Sequence, residues 1–261
     1  MHLHFYNYQG TGNDFVIIDN RKNEIELTKE QISHICDRRF GIGADGFMML
    51  EVEPGADFKM VYFNSDGNES TMCGNGGRCI SAFAKKMGLI NDRAKFIAID
   101  GIHEAVIHEG FVSLKMNDVK NIETGSDYYY LNTGSPHYVK FVEGLQNFDV
   151  FKEGKAIRYN ERFSAEGTNV NFIEKKEDVL HVRTYERGVE NETLSCGTGV
   201  TAAALVGAVN GISSGKNYCK ISTPGGELRV KFDKVLESTF YNIWLEGPAE
   251  FVFEGDIEVK E

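Results

Sequence analysis

Two cysteine-led, glycine-rich segments carry the residues of this chain that could do chemistry. Segment 73–77 (CGNGG) returns 123 residues later as segment 196–200 (CGTGV), and in both copies a run of small and apolar residues follows. The pattern predicts that Cys73 and Cys196 each stand at the start of a helix. Unpaired backbone N–H groups and the helix dipole favour thiolate over thiol there. The sequence therefore predicts a pair of thiol bases.

A pair of thiols suits proton transfer at a carbon atom. With an ordinary pKa of about 8.5, a cysteine can accept a proton in one form and donate it in the other. Proton removal beside a carboxylate leaves a carbanion whose charge spreads onto the carboxylate oxygens, so preorganised donors are needed. The backbone N–H groups of Gly74, Asn75, Gly197 and Thr198 are the candidate donors. One cysteine on each face of the carbon predicts a racemase or epimerase, although the residues do not show which cysteine is the resting thiolate.

Composition limits the classes of protein to consider. The 261 residues are enough for two domains, and a net charge of −11 argues against a nucleic-acid surface. No segment has the length and apolarity of a membrane span or the pattern of an export signal, which predicts a cytoplasmic protein without membrane contact. The five cysteines form no Cys-x-x-Cys unit, so neither a disulfide framework nor a zinc site is favoured, and we predict no metal.

Hydrophobic patterning predicts mostly strands with a few helices. Residues 200–209 are apolar on every side, which predicts a buried helix, whereas 80–87 should expose its end at Lys85 and Lys86. Thr28 to Gln31 form a capping box before a short helix. We predict an α/β (α+β) fold with two domains, 1–120 and 121–247, each a sheet wrapped around a central helix, with the two helix starts facing one cleft. We expect the last strand, within 248–261, to join the first domain.

The sequence resembles the diaminopimelate epimerase family over nearly its whole length. Seven ordered segments carry the resemblance: 12–15 (GNDF), 39–46 (RFGIGADG), 63–67 (FNSDG), 73–79 (CGNGGRC), 167–170 (GTNV), 186–188 (ERG) and 196–199 (CGTG). The resemblance implies two pseudo-symmetric domains with mostly antiparallel sheets, and a homodimer. It also implies cofactor-independent interconversion of LL- and meso-diaminopimelate by Cys73 and Cys196, in lysine and peptidoglycan precursor biosynthesis.

The resemblance also implies roles for further residues. Those assigned to the polar groups of the substrate are Asn13, Asn64, Asn169 and Arg187, mainly at the non-reacting end. Glu186 is implied to hold the reacting ammonium group and His137 to support catalysis. Amide oxygens suit an ammonium group and a guanidinium fork suits a carboxylate. The chain departs from the family pattern at Ser135, where many members have Asn, and at Gly46, where some members have a glutamine contact.

Other interpretations of the same residues predict different behaviour. Proline racemase-like enzymes share the two-cysteine mechanism but act on a substrate without a second zwitterionic end. A thiol redox protein or a silent amino-acid-binding module would also contain paired cysteine loops. Segment 41–46 (GIGADG) matches a dinucleotide motif, but a strand follows where that motif requires a helix. Cys36, Cys79 and Cys219 are interpreted as buried packing residues. A pyridoxal phosphate lysine has no obligatory local pattern, so the residues alone leave that cofactor open, although the resemblance implies none.

Overall fold

The computed structural model describes residues 1–213 and 215–260 in two compact units of strands and helices. The first unit combines residues 1–114 with the segment that begins at 247, and the second holds residues 115–246. Strands of the first unit are β1 (His2–Gly10), β2 (Asn13–Asp19), β3 (Gly46–Glu51), β4 (Phe58–Asn64), β5 (Arg93–Ala98), β6 (Gly101–Ile107), β7 (Val112–Lys115) and β17 (Glu250–Glu258). Strands of the second unit are β8 (Glu123–Thr124), β9 (Tyr129–Asn132), β10 (Pro136–Phe141), β11 (Asn169–Lys176), β12 (Val179–Glu186), β13 (Asn191–Thr193), β14 (Tyr218–Thr223), β15 (Gly226–Leu236) and β16 (Thr239–Gly247).

The sheet of the first unit begins with β17, which pairs antiparallel with β1. It continues through β2, β3, β4, β5 and β6 to β7. The pairs β2–β3 and β4–β5 are parallel and the others are antiparallel. Each parallel pair is joined by a crossover that contains a helix, α1 (Lys29–Cys36) for the first and α2 (Gly74–Lys86) for the second. The predicted capping box of α1 is confirmed, because Thr28 and Gln31 bond reciprocally.

The sheet of the second unit repeats this order of pairings. Strand β9 pairs antiparallel with β10, β10 runs parallel to β11, β11 pairs antiparallel with β12, and β12 runs parallel to β14. The crossover from β12 to β14 contains α4 (Gly197–Val209), as the crossover from β4 to β5 contains α2. The predicted mixed fold, with one central helix in each half, is confirmed.

The two central helices differ in burial as their sequences predict. Nearly every residue of α4 is buried, against β10, β11, β12, β14 and β15. Helix α2 is buried through most of its length, against β1, β2, β3, β6 and β17, and it exposes Lys85 and Lys86 at its end. Each cysteine loop is therefore attached to the buried central helix of its own unit.

Helix α3 (Val150–Arg158) was not predicted from the sequence. It begins after Asp149, whose side chain accepts a hydrogen bond from the backbone N–H of Lys152 at 3.0 Å. Its central Gly154 lies directly against Tyr185, where a side chain would not fit. A glycine inside a helix lowers its propensity, which concealed the pattern. A close approach to β12 made the glycine necessary.

Candidate active site

Cys73 is the residue before the first turn of α2, in extended conformation. Its thiol is half-buried and donates to Asn13 Oδ1 at 3.7 Å. Because the first helical N–H groups lack partners within their helix, the start of α2 at Gly74 and Asn75 presents donors beside the sulfur. The predicted placement of this cysteine at a helix start is observed.

A buried guanidinium lies behind this loop. Arg78 is fully buried, and its Nη2 donates to Asn75 Oδ1 and to Thr11 Oγ1, both at 3.0 Å. Nη1 donates to Gly74 O and Nε to Pro248 O, each at 3.3 Å. Asn75 in turn donates from Nδ2 to the same Asn13 oxygen that Cys73 contacts, at 3.3 Å. Arg78 thus fixes the loop from the protein interior.

Asn13 is held on its other side by a carboxylate. Its Nδ2 donates to Asp45 Oδ2 at 2.5 Å, and Arg38 joins Asp45 to Asp14 through charged hydrogen bonds. This pairing orients the amide so that its oxygen points toward Cys73.

Asn64 and Gly46 lie opposite each other at the ends of β4 and β3. Asn64 is exposed, and its backbone N–H is bonded to Asn68 O in a turn that leaves the side chain accessible. A Cβ atom on Gly46 would lie 2.6 Å from the ring of Tyr62. The space that a glutamine would need is therefore occupied by tyrosine in this chain.

Cys196 occupies the equivalent position before α4 and is 8% exposed. Its sulfur lies 3.5 Å from Thr198 Oγ1. The carbonyl of Thr198 accepts a hydrogen bond from Thr133 Oγ1 at 2.9 Å, which anchors the first turn of the helix to the segment before β10.

A polar network lies beneath this second loop. Asn171 Nδ2 contacts His137 Nδ1 at 3.1 Å and donates to Tyr138 O at 2.9 Å, while its oxygen accepts from Thr184 Oγ1 at 2.9 Å. Gly199 lies so close to Asn171 Oδ1 that a Cβ atom would clash with it. Burial, with a further effect of the Arg187 charge, lowers the pKa of His137 to about 3. His137 is therefore neutral at physiological pH, and within the described part of the chain its Nε2 has no hydrogen-bond partner.

The remaining predicted residues of the second unit cluster at the ends of β11 and β12. Asn169 donates to Pro136 O at 3.1 Å and accepts from the backbone N–H of Arg187 at 2.9 Å. The Arg187 guanidinium donates to Glu166 O at 3.0 Å, and Glu186 accepts from Thr193 Oγ1 at 2.9 Å. Ser135 lies just before β10, and its carbonyl accepts from the backbone N–H of Thr133.

The predicted residues divide between the two units. In the first unit, hydrogen bonds join Cys73, Asn75 and Asn13, Gly74 begins α2, and Asn64 lies at the end of β4. In the second unit, Cys196 contacts Thr198 in the first turn of α4, which begins at Gly197, and His137 bonds to Asn171 beneath that turn. Asn169, Glu186 and Arg187 lie together at the ends of β11 and β12. Their roles remain predictions.

Sequence reasoning missed the residues that support the two loops. These are Thr11 and Arg78 in the first unit, and Thr133, Asn171 and Thr184 in the second. The available signal was an arginine inside an otherwise small and apolar helix start, and polar residues at inward positions of predicted strands.

The other three cysteines are packing residues, as predicted. All are buried, and burial raises the pKa to about 12 for Cys36 and Cys79 and to about 11 for Cys219. Over residues 1–213 and 215–260, no group of three or more His, Cys, Asp or Glu side chains is arranged to hold a metal ion. No described helix is long and apolar enough to cross a membrane.

Comparison with known proteins identifies the family of this chain. The family model described as diaminopimelate epimerase matches residues 5–119 and 129–252. Diaminopimelate epimerase of Flavobacterium psychrophilum is 51% identical, covering 98% of this chain and 100% of its own. That of Chlorobaculum tepidum is 43% identical, covering 95% and 98% respectively.

Solved structures with lower identity share the fold. A phenazine biosynthesis protein of the PhzF family from Bacillus anthracis superimposes with a TM-score of 0.73 at 17% identity, over 99% of this chain and 100% of that one. A hydroxyproline epimerase from Agrobacterium vitis gives 0.70 at 12% identity, over 98% and 92%. The family model and the full-length relatives lead to one conclusion: this chain belongs to the diaminopimelate epimerase family, a family of isomerases.

Proposed function

We propose that this chain interconverts LL- and meso-diaminopimelate, as a step of lysine biosynthesis, with Cys73 and Cys196 as the two acid–base groups. The thiolate of one cysteine removes the α-hydrogen as a proton, and the electron pair of the broken C–H bond moves into the adjacent carboxylate. The thiol of the other cysteine then donates its proton to the opposite face of the same carbon. The configuration inverts, and the two cysteines have exchanged protonation states.

One observation carries the proposal: each unit places a cysteine directly before a buried central helix. The N–H groups at the helix starts can hold the α-carboxylate and the charge that develops on it. We assign these donors to Gly74, Asn75, Gly197 and Thr198. A buried helix moves little, so the donors are in place before the reaction begins.

The residues around each loop suit a substrate with a second zwitterionic centre. Asn13 and Asn64 offer amide groups on one unit, and Asn169 with the Arg187 guanidinium offers an acceptor and a fork on the other. A proline-like substrate has no second zwitterionic centre, so these four side chains would have no group to bind. Glu186 is assigned to the reacting ammonium group and His137 to support of the Cys196 loop. We propose no cofactor, a homodimeric assembly and a cytoplasmic location.

The test is cofactor-free isotope exchange. Incubation of the protein with meso-diaminopimelate in deuterated water should place deuterium at one α-carbon and generate the LL isomer. Absence of both label and LL isomer would contradict the proposal.

Cysteine variants separate the proposed reaction from binding or redox functions. Cys73→Ala and Cys196→Ala should each reduce turnover by about 10²–10⁴-fold, the range expected for loss of an acid–base group. Cys219→Ala, which removes a buried thiol elsewhere in the second unit, is the matched control and should keep turnover near the parent value. Full affinity for diaminopimelate with no turnover in the parent protein would instead indicate an amino-acid-binding module.

A further inference from the structure

Arg78 is a buried charge that the proposed reaction does not use. Its side chain is fully buried, and its donors go to the neutral oxygens of Gly74, Thr11, Asn75 and Pro248. Among the described residues no carboxylate lies within ion-pair distance of it. Removing a guanidinium from water without a counter-ion is strongly unfavourable, so such a residue is retained for a reason other than stability.

The titratable groups that act on this guanidinium are thiols. Burial lowers the pKa of Arg78, whereas the neighbouring Cys79 and Cys73 raise it. Arginine nevertheless remains protonated at physiological pH. Burial raises the pKa of Cys79 to about 12, so Cys79 stays a neutral thiol. The half-buried Cys73, whose neighbour Gly74 accepts a hydrogen bond from Arg78 Nη1, is the thiol of the two to which the proposed reaction assigns an acid–base role.

The charged and titratable groups named below, on the elements around α2, are neutral, exposed, paired or distant. They therefore do not provide the positive charge that Arg78 provides. Strand β1 contributes Tyr8, whose pKa is raised by burial so that it stays neutral, and β17 contributes Glu250, which lies at the surface with Gln9. Beyond Asn13, at the start of β2, Asp14 and Asp45 are paired with Arg38. At the start of β6, His103 pairs with Asp100, and the helix's own Lys85 and Lys86 lie at its far end.

The Arg78 guanidinium also fixes the positions of the residues around Cys73. It holds Asn75 Oδ1, which leaves Asn75 Nδ2 to donate to the Asn13 oxygen that Cys73 contacts. It binds the hydroxyl of Thr11, a residue with a positive φ of 52°, which is unfavourable for a β-branched side chain. One side chain thus supports the turn before β2, the first turn of α2 and the partner of the thiol.

We propose that Arg78 is a positioning residue for Cys73: its uncompensated buried charge favours the thiolate of Cys73, and its hydrogen bonds hold Asn75 and Asn13 in place around the sulfur. The inference rests on the proposed role of Cys73 as an acid–base group. In the second unit the repeat-equivalent residue is the neutral Thr201, whose hydroxyl donates to Gly197 O within α4.

The experiment measures the reactivity of Cys73 without any substrate. In a Cys196→Ala background, the rate of iodoacetamide alkylation at Cys73 is followed by peptide mass mapping from pH 6 to 10. Arg78→Met should slow alkylation at pH 7.5 by about tenfold, which corresponds to a rise of about one pKa unit in the midpoint of the profile. Arg78→Lys, which retains the charge but not the fork, should keep the midpoint near that of the parent and lower kcat in the chain with both cysteines.

Two comparisons keep the test decisive. Thr201→Val changes the equivalent residue of α4 and should leave the Cys73 profile unaltered. Equal midpoints in parent and folded Arg78→Met would overturn the proposal. Should the Met variant fail to fold by circular dichroism, a midpoint raised by about one unit in folded Arg78→Lys would also overturn it, and an unchanged midpoint would support it. Because alkylation requires no turnover, the result stands apart from the deuterium test of the proposed function.

Discussion

The sheet residues that lie beneath each cysteine loop, which we call its floor, occupy equivalent positions in the two units but differ in chemical character. Phe15 pairs with Gly46 as His137 pairs with Asn169, and Met48 pairs with Tyr62 as Asn171 pairs with Thr184. Under α2 the floor is therefore built of Phe15, Met48 and Tyr62, whereas under α4 it is built of His137, Asn171 and Thr184. Beneath the second loop Asn171 and Thr184 bond to each other, whereas beneath the first turn of α2 Phe15 and Met48 face Gly76 with apolar atoms.

The first loop obtains its polar support from the helix instead. Arg78 binds Thr11 and Asn75 from within α2, whereas the hydroxyl of the equivalent Thr201 donates to Gly197 O of its own helix. Two loops with the same backbone pattern are thus held by a charged network in one unit and a neutral network in the other. The repeat preserves the thiol and the helix start, which the proposed reaction requires, but not the means of fixing them.

Among the tests of this comparison, the largest effect is expected from adding one methyl group to the second loop. In Gly199→Ala the new Cβ meets Asn171 Oδ1, which is itself held by Thr184, so neither can move easily. We expect a loss of about 100-fold in kcat/KM, because small displacements at a catalytic loop have effects of that size. Gly76→Ala is the matched control. Its Cβ would meet the flexible Met48 side chain at 3.3 Å, and activity should stay within about threefold of the parent.

Steady-state kinetics on both variants measure this difference. Equal losses in Gly199→Ala and Gly76→Ala would show that the chemical character of the floor does not matter.

The pH dependence of the unfolding free energy should reveal that His137, beneath the second cysteine loop, is neutral in the folded chain. Since the folded-state pKa of His137 is about 3 and its ordinary value is 6.5, only the unfolded chain binds the proton between these values. The contribution of His137 is thus fully present above pH 6.5 and is lost as the pH falls. We expect the free energy of unfolding to decrease by about 1.4 kcal/mol per pH unit below about pH 6. Urea unfolding at pH 7.5, 6 and 5 measures this slope, and His137→Asn should lack that component. An identical slope in the variant would contradict the assignment.

The threonines before β2 and β10 should differ in importance. Thr11→Val removes the acceptor of a buried guanidinium donor and should cost about 1–3 kcal/mol of unfolding free energy. Thr133→Val removes a neutral hydrogen bond to Thr198 O and should cost about 1 kcal/mol. Thermal or urea unfolding of both variants measures the difference. A larger cost at Thr133 would reverse our ranking of the two networks.

The smallest effect is expected from a substitution that makes α2 match α4 at one buried position. Cys79 of α2 corresponds to Ala202 of α4, and both are buried. Cys79→Ala should cost about 1 kcal/mol or less in stability and leave the turnover near that of the parent. A strong loss of turnover would show that a third thiol takes part in the chemistry.

Much of the architecture could be predicted because the relevant signals are local. The capping box at Thr28 and the all-apolar run 200–209 each define an element through neighbouring residues. Helix α3 was missed because Gly154 is explained only by the distant Tyr185. Local patterns do not contain that contact.

The same division holds for the site. The sequence alone determined which residues can do the chemistry, because a thiol at a helix start depends only on adjacent residues and on the repeat that duplicates them. Tertiary structure decided how each thiol is supported. Arg78 binds Thr11 across 67 positions and Asn171 contacts His137 across 34, so both networks exist only after the sheets have formed. Burial then converts these contacts into a fixed charge in one unit and a neutral imidazole in the other, since the cost of an ionised group depends on the surroundings that folding creates.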